Sequence, residues 1–395
     1  MSTSRLGGGA RLAPVIGSAA AGATSALAFP PLGPGWLQPF AVATLYLAIR
    51  RTTLSCAWLR GLAFGLAFFL VHLSWLDESI GMLAWLLLSL TQAAFVAFAS
   101  LGMRVVAGRR WSALGAAAVW TLVETTRGTW PLGGMPWGRL GYSALDTPWQ
   151  SLLPVLGVSG MSFLITWASF ASVDLGESLL SRRRTAARHA LVSATVVAVA
   201  LSSLPWGPTE GMEPTGSSLR VAVIQGGVPG DGTELVRFHR QVTQNHALAT
   251  EALGRRLQVE QDSVDVVVWP ENSTAVDPRF DPAMLAAIDH AGRAVGAPIL
   301  LGAITDGPTD QTAFNQSLLW DAERGEYTRA YTKQNLVPFG EYIPWRSIIG
   351  SWSRRFDQIP RDLIEGNSGQ TFRLGTIGLA TAICFDVAHD DVIAD

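Results

Sequence analysis

Three residues in the C-terminal half of the chain have the types and positions that acyl-group chemistry needs. Glu271 follows an apolar run in VVVWPENS, Lys333 lies in YTKQN, and Cys384 ends the apolar run LATAICFD. A cysteine attacks only as the thiolate, and its usual pKa of about 8.5 leaves little thiolate at neutral pH. A carboxylate can take the thiol proton, and an ammonium can stabilise both the thiolate and the oxyanion formed at an attacked carbonyl. We therefore interpret these residues as a candidate catalytic set.

Lys333 is the only lysine of the chain, which also carries 28 arginines. Lysine is the residue that brings a compact ammonium close to a reacting atom, so this lone lysine indicates a functional role. The alternative is that Lys333 is an incidental survivor. No histidine fits a papain-like site, because His389 is only five residues beyond the cysteine. No zinc-ligand spacing, Walker loop or dinucleotide fingerprint occurs, so neither a metal nor a cofactor is predicted.

The composition indicates two regions with different solvents. Residues 1–206 are dominated by Ala, Leu, Val, Gly, Trp and Phe, whereas residues 207–395 have an ordinary soluble composition. Only 15% of the chain is charged, where a soluble domain carries about 25%. The net charge is −2 and no basic stripe occurs, so no nucleic-acid partner is expected. We predict a transmembrane domain over 1–206 and a catalytic domain over 207–395.

Seven apolar stretches of the first region are predicted to be helices that cross or nearly cross a bilayer. They are residues 12–29, 35–49, 55–75, 81–103, 111–126, 154–177 and 189–206. The first stretch could instead be a signal peptide. The turn PPLGPG, followed at once by another apolar run, favours a helical hairpin. Cys56 lies in an apolar run and is expected to be buried, so a disulfide with Cys384 is not predicted.

The arginines of the first region indicate its orientation. With a cytoplasmic N-terminus, the cytoplasmic segments hold twelve arginines and the opposite short loops hold two. The twelve are Arg5, Arg11, Arg50, Arg51, Arg60, Arg104, Arg109, Arg110, Arg182, Arg183, Arg184 and Arg188, and the two are Arg127 and Arg139. After seven crossings, residues 207–395 are therefore predicted to lie outside the cytoplasm.

The longest outer loop, residues 127–153, is rich in tryptophan and glycine. Trp130, Trp137 and Trp149 lie in it. Tryptophan is typical of the headgroup level, so the loop is either an interfacial belt or a re-entrant floor under a lipid-accessible site. Glu124 and Arg127, spaced i,i+3 at the end of the preceding helix, could pair.

The second region alternates strand and helix patterns. Strands are predicted over 219–226, 265–271, 297–305, 314–321, 327–335 and 375–386, several of them apolar throughout, and helices over 233–257 and 281–296. The segment LVPFGEYIPW is predicted to be a loop. Strands interleaved with helices indicate a layered α/β domain, which usually places its chemistry at strand ends.

The motifs WPENS, YTKQNLVPFGEYIP and ICFD resemble the Glu-Lys-Cys set of the carbon–nitrogen hydrolase (nitrilase) superfamily. Three further features narrow the resemblance to the apolipoprotein N-acyltransferase family. They are the apolar first half, the motif LVPFGEYIP, and a loop with Pro136, Trp137, Gly141, Tyr142 and Ser143. The similarity runs from about residue 12 to the end of the chain.

The resemblance implies both a fold and a reaction. The fold is a multi-pass α-helical domain in the cell (inner, or cytoplasmic) membrane, followed by an extracytoplasmic nitrilase-like α-β-β-α sandwich. Glu271 is implied as general base, Lys333 as oxyanion stabiliser and Cys384 as the nucleophile that carries a thioester. The reaction passes an acyl chain from a membrane phospholipid to the N-terminal cysteine amine of a diacylglyceryl apolipoprotein.

Further site residues are implied by the same resemblance. Glu341 is an active-site residue near the lysine, and Trp137 and Tyr142 are lipid- or substrate-binding residues. After the nucleophile many members of the family have Tyr-Glu, where this chain has Phe385 and Asp386. These two are supporting residues, and the departure bears on the substrate pocket rather than on the core chemistry.

Two rival interpretations use the same residues. A membrane-tethered nitrilase or amidase shares the catalytic set but gives no reason for the apolar first half. A non-catalytic membrane protein, either a transporter or an inactive truncated fragment, belongs to another class. The chain ends 11 residues after Cys384. Because the family continues with more strands, helices and a last membrane helix, we expect the sequence to be truncated at its C-terminus.

Overall fold

The computed structural model describes residues 8–181, 218–229, 238–351, 356–357, 359–367 and 369–394. The chain separates into two compact units, Met1–Met212 and Glu213–Asp395. The predicted domain boundary at residue 206 and the seventh predicted apolar stretch lie outside the described residues, so both stay predictions.

Between residues 8 and 181, the part of the first unit that the structure describes, the regular structure is helical. Its α-helices are α1 (Gly8–Leu27), α2 (Gln38–Ile49), α3 (Leu54–His72), α4 (Trp75–Ile80), α5 (Met82–Val106), α6 (Ser112–Thr129) and α7 (Leu153–Leu180). Helices therefore occupy six of the predicted apolar stretches. Among the described residues, three segments are both long and apolar enough to cross a membrane: Leu54–His72, Met82–Val106 and Pro148–Leu180. The apolar helices at Leu12–Leu27 and Gly35–Ile49 are shorter.

Small residues let the helices of this unit approach closely. A Cβ added to Gly65 of α3 would lie 2.7 Å from the Cα of Ala93 in α5, and one on Gly22 of α1 would meet the backbone of Phe64. Close backbone approach at small residues is typical of helix packing in lipid, where apolar surface alone gives no drive to associate. Cys56 is exposed on α3. The expectation that it is buried was wrong, because an apolar run in lipid has outward-facing positions too.

The second unit is built on a six-stranded sheet. Its strands are β1 (Val221–Val223), β2 (Val266–Val268), β3 (Ile299–Asp306), β4 (Thr312–Asp321), β5 (Glu326–Thr332) and β6 (Asp362–Leu363). The order is β1-β2-β3-β4-β5, with β6 beside β4. β1, β2 and β3 are parallel, and β3, β4 and β5 are antiparallel. The helices α8 (His239–Glu260) and α9 (Pro282–Val295) form the two crossovers between the parallel strands.

Apolar side chains cover both faces of this sheet. On one face Ile288 and Ala291 of α9 pack with Trp269, Ile299 and Leu301 of the sheet. The other face packs Leu300, Leu319 and Tyr331 against Phe372 and Ile383, which belong to the final hairpin and the segment after it. The described layers are therefore helix, sheet and hairpin. A fourth, helical layer of an α-β-β-α sandwich stays a prediction.

The last predicted strand is shorter than expected. The hairpin of β7 (Thr371–Leu374) and β8 (Ile377–Ala380) replaces the single strand predicted over 375–386. Gly375 has a φ of 60°, which supplies the tight turn between the two strands. The described part of the unit also has the short helices α10 (Arg346–Ile349) and α11 (Asp390–Ala394).

Candidate active site

The direction of the strands explains how Glu271 and Lys333 meet. β3 is parallel to β2, and the two antiparallel steps from β3 through β4 to β5 restore the same direction. Glu271 lies three residues after β2, and Lys333 follows β5 directly, so both lie at the same edge of the sheet. Asn315 lies near the start of the reversed strand β4 and reaches this edge from the other direction.

The ammonium of Lys333 lies between two carboxylates. Its Nζ donates to Glu271 Oε1 at 3.2 Å and to Glu341 Oε1 at 3.0 Å. The lysine side chain is only 1% exposed. Because a buried ammonium without partners is strongly unfavourable, the two carboxylates are what keeps a charge in this position.

Burial and charge act in opposite directions on the lysine. Burial alone favours the neutral amine, but Glu341 and Glu271 outweigh it and raise the pKa of Lys333 above its usual value. The side chain is therefore a cation at neutral pH. Its ion pairs contribute fully to stability below the unfolded-state pKa of 10.5. That contribution is lost as the pH rises through the higher folded-state pKa.

Glu341 is held in place by its own loop. Its Oε2 accepts a hydrogen bond from the Val337 N–H at 2.8 Å, and its own N–H donates to the Val337 carbonyl at 2.8 Å. Between them Phe339 has a φ of 62°, a left-handed conformation that closes the turn. The loop predicted from LVPFGEYIPW thus places a carboxylate against the lysine.

Cys384 lies on a sharp turn at the start of a 3₁₀ helix, Cys384–Ala388. Its φ is 50°, in the left-handed region that residues other than glycine rarely adopt. Such conformations persist where the surrounding structure enforces them, and they cluster at functional sites. The residue as a whole is exposed.

The thiol of Cys384 is close enough to the charged cluster to be affected by it. Partial burial of the sulfur and the negative charge of Glu271 raise the pKa of the Cys384 thiol, and Lys333 opposes them. The thiol is therefore protonated at neutral pH and needs a base. Of the neighbouring carboxylates, Glu271 has the strongest effect on this thiol.

Asp386 fixes this turn to the strand that carries the lysine. The fully buried carboxylate accepts hydrogen bonds from the Tyr331 hydroxyl at 2.8 Å, the Asn335 N–H at 2.8 Å and the Ile383 N–H at 3.1 Å. Tyr331 and Asn335 lie two residues before and after Lys333. The carboxylate thus connects the segments on both sides of the lysine to the turn that carries Cys384. The ring of the neighbouring Phe385 packs edge-on against His389, with 4.8 Å between centroids.

Asn315 is a member of the cluster that sequence reasoning missed. Its Nδ2 donates to Glu271 Oε1 at 2.6 Å and to Glu341 Oε1 at 3.0 Å. It is the cross-strand neighbour of Lys333, whose N–H donates to the Asn315 carbonyl at 2.9 Å. The pairing of β4 with β5 could have revealed it, but the register of that pairing is not visible in the sequence.

Trp137 and Tyr142 belong to the first unit, within a loop fastened to α6. Arg127 Nη1 donates to the carbonyls of Met135 at 2.7 Å and Trp137 at 2.9 Å. Glu124 Oε1 accepts from the Leu140 N–H at 2.9 Å. The two charged residues therefore fold the loop onto the helix. The pairing that their spacing allowed is not observed, because no ion pair joins Glu124 to Arg127 among the described residues. Glu124 Oε1 and Arg127 Nη1 bind backbone groups of the loop instead, and Glu124 Oε2 has no hydrogen-bond partner there.

The side chain of Tyr142 also has a charged partner. Arg139 Nη2 donates to the Tyr142 hydroxyl at 2.8 Å, and its guanidinium lies 5.1 Å from the ring centroid. Both Trp137 and Tyr142 are half-buried. In the part of the chain that the structure describes, no group of three or more His, Cys, Asp or Glu side chains could hold a metal ion.

The cluster combines a carboxylate, a buried ammonium and the thiol of an exposed residue. A base can remove the thiol proton, and an ammonium near the attacked carbonyl stabilises the oxyanion that forms there. Together with the apolar helices of the first unit, these groups are typical of a membrane enzyme that handles acyl groups through a thiol.

Comparisons with known proteins narrow this class. Residues 21–171 match the family model for the apolipoprotein N-acyltransferase N-terminal domain. The apolipoprotein N-acyltransferase of Mycolicibacterium smegmatis is 31% identical over 410 aligned residues, which cover 98% of this chain and 68% of that protein. The apolipoprotein N-acyltransferase of Pseudomonas putida is 32% identical, and the alignment covers 95% of this chain and 74% of that protein. The one from Methylococcus capsulatus is 29% identical, and the alignment covers 91% of this chain and 70% of that protein.

The chain belongs to the apolipoprotein N-acyltransferase family and is an acyltransferase. The family resemblance of its sequence motifs is thereby confirmed. The predicted membrane character agrees with the apolar helices of the first unit.

Proposed function

We propose that this protein transfers an acyl chain from a membrane phospholipid to the N-terminal cysteine amine of a diacylglyceryl apolipoprotein, through a thioester on Cys384. The observation that supports the proposal most is the buried Lys333 ammonium between Glu271 and Glu341, beside a thiol on a strained, exposed turn. The names of the relatives supply the acceptor class.

In the first half-reaction Glu271 takes the proton of the thiol. The sulfur of Cys384 attacks the ester carbonyl of the phospholipid, and the negative charge moves to the carbonyl oxygen, where Lys333 stabilises it. The C–O bond then breaks, the lysophospholipid leaves, and its oxygen takes the proton from Glu271. The acyl chain remains on the sulfur as a thioester.

In the second half-reaction the neutral amine of the apolipoprotein attacks the thioester carbonyl. Glu271 accepts a proton from the nitrogen, and Lys333 again stabilises the oxyanion. The C–S bond breaks, an amide forms, and the proton on Glu271 returns to the sulfur of Cys384. Glu341 takes no proton in this scheme and holds the lysine in position.

The proposal extends to the location of the reaction. We propose seven membrane helices, a cytoplasmic N-terminus and a nitrilase-like domain on the extracytoplasmic side of the cell membrane. This arrangement would bring the thiol to lipid substrates. Exposing acyl chains to water costs about 0.8 kcal/mol per methylene, so both substrates are expected to arrive laterally from the bilayer. Trp137 and Tyr142 are proposed as lipid-contacting residues of the outer loop.

The transfer is tested by a defined reaction in liposomes. Full-length protein is reconstituted with a phospholipid labelled in its acyl chain and with a synthetic diacylglyceryl lipopeptide. We expect labelled triacylated lipopeptide whose new amide resists hydroxylamine, and none with Cys384→Ala. The nitrilase or amidase alternative predicts hydrolysis of small amides in place of this product. Labelled fatty acid released without lipopeptide acylation would contradict the proposed acceptor.

A further inference from the structure

We infer that Asn315 is a positioning residue that holds the carboxylates of Glu271 and Glu341 oriented on Lys333, so that Glu271 is placed to accept the thiol proton. This inference rests on the proposed function of the cluster and adds a residue that acts through the base. Neither the motifs of the sequence nor the resemblance to the family assigned a role to this position.

Four hydrogen bonds form a closed ring around the base. Asn315 Nδ2 donates to Glu271 Oε1 at 2.6 Å and to Glu341 Oε1 at 3.0 Å. Lys333 Nζ donates to the same two oxygens at 3.2 and 3.0 Å. Each Oε1 atom therefore receives one bond from a neutral amide and one from a cation. The amide and the ammonium come from cross-strand neighbours, so the pairing of β4 and β5 sets their spacing.

The orientation of the amide is fixed by charge. Asn315 is 1% exposed, and rotating its amide would place Oδ1 against two carboxylate oxygens. In the observed orientation, Oδ1 has no partner among the described residues. A buried polar atom without a partner is unfavourable. The amide therefore donates to both carboxylates while its own acceptor oxygen stays without a partner. A role in stability alone does not explain this arrangement.

The two carboxylates need such a donor because they share one site. Like charges in close proximity repel each other, so two carboxylates stay side by side only where donors between them offset the repulsion. The ammonium of Lys333 offsets part of the repulsion, and the two N–H groups of Asn315 offset more without adding a proton that titrates.

The neighbouring residue Gln316 supplies a matched control. Its Oε1 accepts from the Thr305 hydroxyl at 2.8 Å, and its Nε2 donates to the Thr332 hydroxyl at 2.8 Å. It is thus an amide on the same strand that joins β3 to β5, and its side-chain hydrogen bonds among the described residues go to Thr305 and Thr332 rather than to the catalytic cluster. Successive side chains of a strand point to opposite faces, so Gln316→Leu weakens the strand without touching the ring.

The test measures how acylation of the thiol depends on pH. Full-length protein carrying Cys56→Ala is mixed with p-nitrophenyl butyrate, and the burst of p-nitrophenol reports acylation of Cys384. In Asn315→Leu the carboxylates lose a donor that favours their charged form. In the plot of acylation rate against pH, we expect the rising acidic limb to move to higher pH by about one unit. At a given pH on that limb, acylation should be about tenfold slower. Asn315→Asp keeps the shape and adds a third carboxylate, so its limb is expected to move further.

Alkylation by iodoacetamide at alkaline pH checks the integrity of each variant, and we expect the wild-type plateau rate in all of them. An acidic limb unchanged in both Asn315 variants would overturn the inference. An equal shift in Gln316→Leu would also overturn it, because the effect would then belong to the strand. A wild-type burst without lipopeptide acylation would refute the proposed acceptor and leave the inference standing. No wild-type burst would refute both.

Discussion

Lys333 shows why one lysine persists in a chain that otherwise uses arginine. Its Nζ lies 3.2 Å from Glu271 and 3.0 Å from Glu341, in a position that is 1% exposed. A guanidinium carries its charge over a flat fork with fixed donor directions, and it cannot place a point charge between two carboxylates in the same volume. The residue type thus follows from the geometry of the site.

Lys333→Arg is therefore expected to lower the rate of thioester formation by at least about 100-fold, the loss typical of one missing oxyanion donor. The burst of labelled acyl-enzyme from a labelled phospholipid measures this rate. Arg324→Lys makes the converse exchange at an exposed ion pair with Asp321 and is expected to be silent. Wild-type acylation in Lys333→Arg would show that the lysine is an incidental survivor.

Glu271 is expected to make the Cys384 thiol less acidic and yet to speed its acylation. Its charge contributes to the raised pKa of Cys384, so Glu271→Gln should move the alkylation profile of Cys384 with iodoacetamide toward lower pH. The same change removes the base, so acylation by an ester should fall by at least about 100-fold.

The exposed Glu323 of the turn after β4 is the control, and Glu323→Gln should change neither profile. An alkylation profile that moves toward higher pH in Glu271→Gln would contradict the electrostatic account of the site. Unchanged acylation in that variant would exclude Glu271 as the base.

The strands and loops of the second unit show how far the sequence alone could lead. Apolar runs predicted β2, β3 and β4, and a strand was also predicted where β5 lies. Glu271 and Lys333 were therefore expected at strand ends, but that they share one edge depends on the strand directions, which the sequence does not show. Asn315 could not be found this way, because its role depends on which residue of β5 lies opposite it. The turn at Cys384 was missed because hydrogen bonds to Asp386, rather than local propensity, bend the chain there.

Asp386 joins the turn that carries Cys384 to the segments on both sides of Lys333. Asp386→Asn removes the charge that accepts from Tyr331, Asn335 and Ile383. A hydrogen bond to a charged group contributes about 1.5–3 kcal/mol. We expect a loss of about 10- to 100-fold in acylation, with alkylation of Cys384 by iodoacetamide retained.

Asp391→Asn, on the exposed face of α11, serves as the control and should be silent. A variant Asp386→Asn that acylates at the wild-type rate would show that the turn holds its shape without this carboxylate. Loss of alkylation together with acylation would point to unfolding rather than to a displaced nucleophile.

At the scale of the whole molecule, the chain combines a helical unit suited to lipid with an α/β unit suited to water. The arginine asymmetry of the first unit predicts that residues 207–395 lie outside the cytoplasm. Alkaline phosphatase and a fluorescent protein fused in turn after residue 215 test the orientation, because each is active on one side only. Phosphatase activity without fluorescence is expected, and fluorescence without phosphatase activity would contradict the topology.

The central claim is that the acyl chain passes through Cys384. Membranes containing the full-length protein are incubated with a phospholipid labelled in its acyl chain, and the labelled peptide is mapped before and after neutral hydroxylamine. We expect the label on Cys384 and its removal by hydroxylamine. The Cys56→Ala variant should still be labelled, and the Cys384→Ala variant should not. Hydroxylamine-sensitive label that persists in Cys384→Ala would contradict this claim.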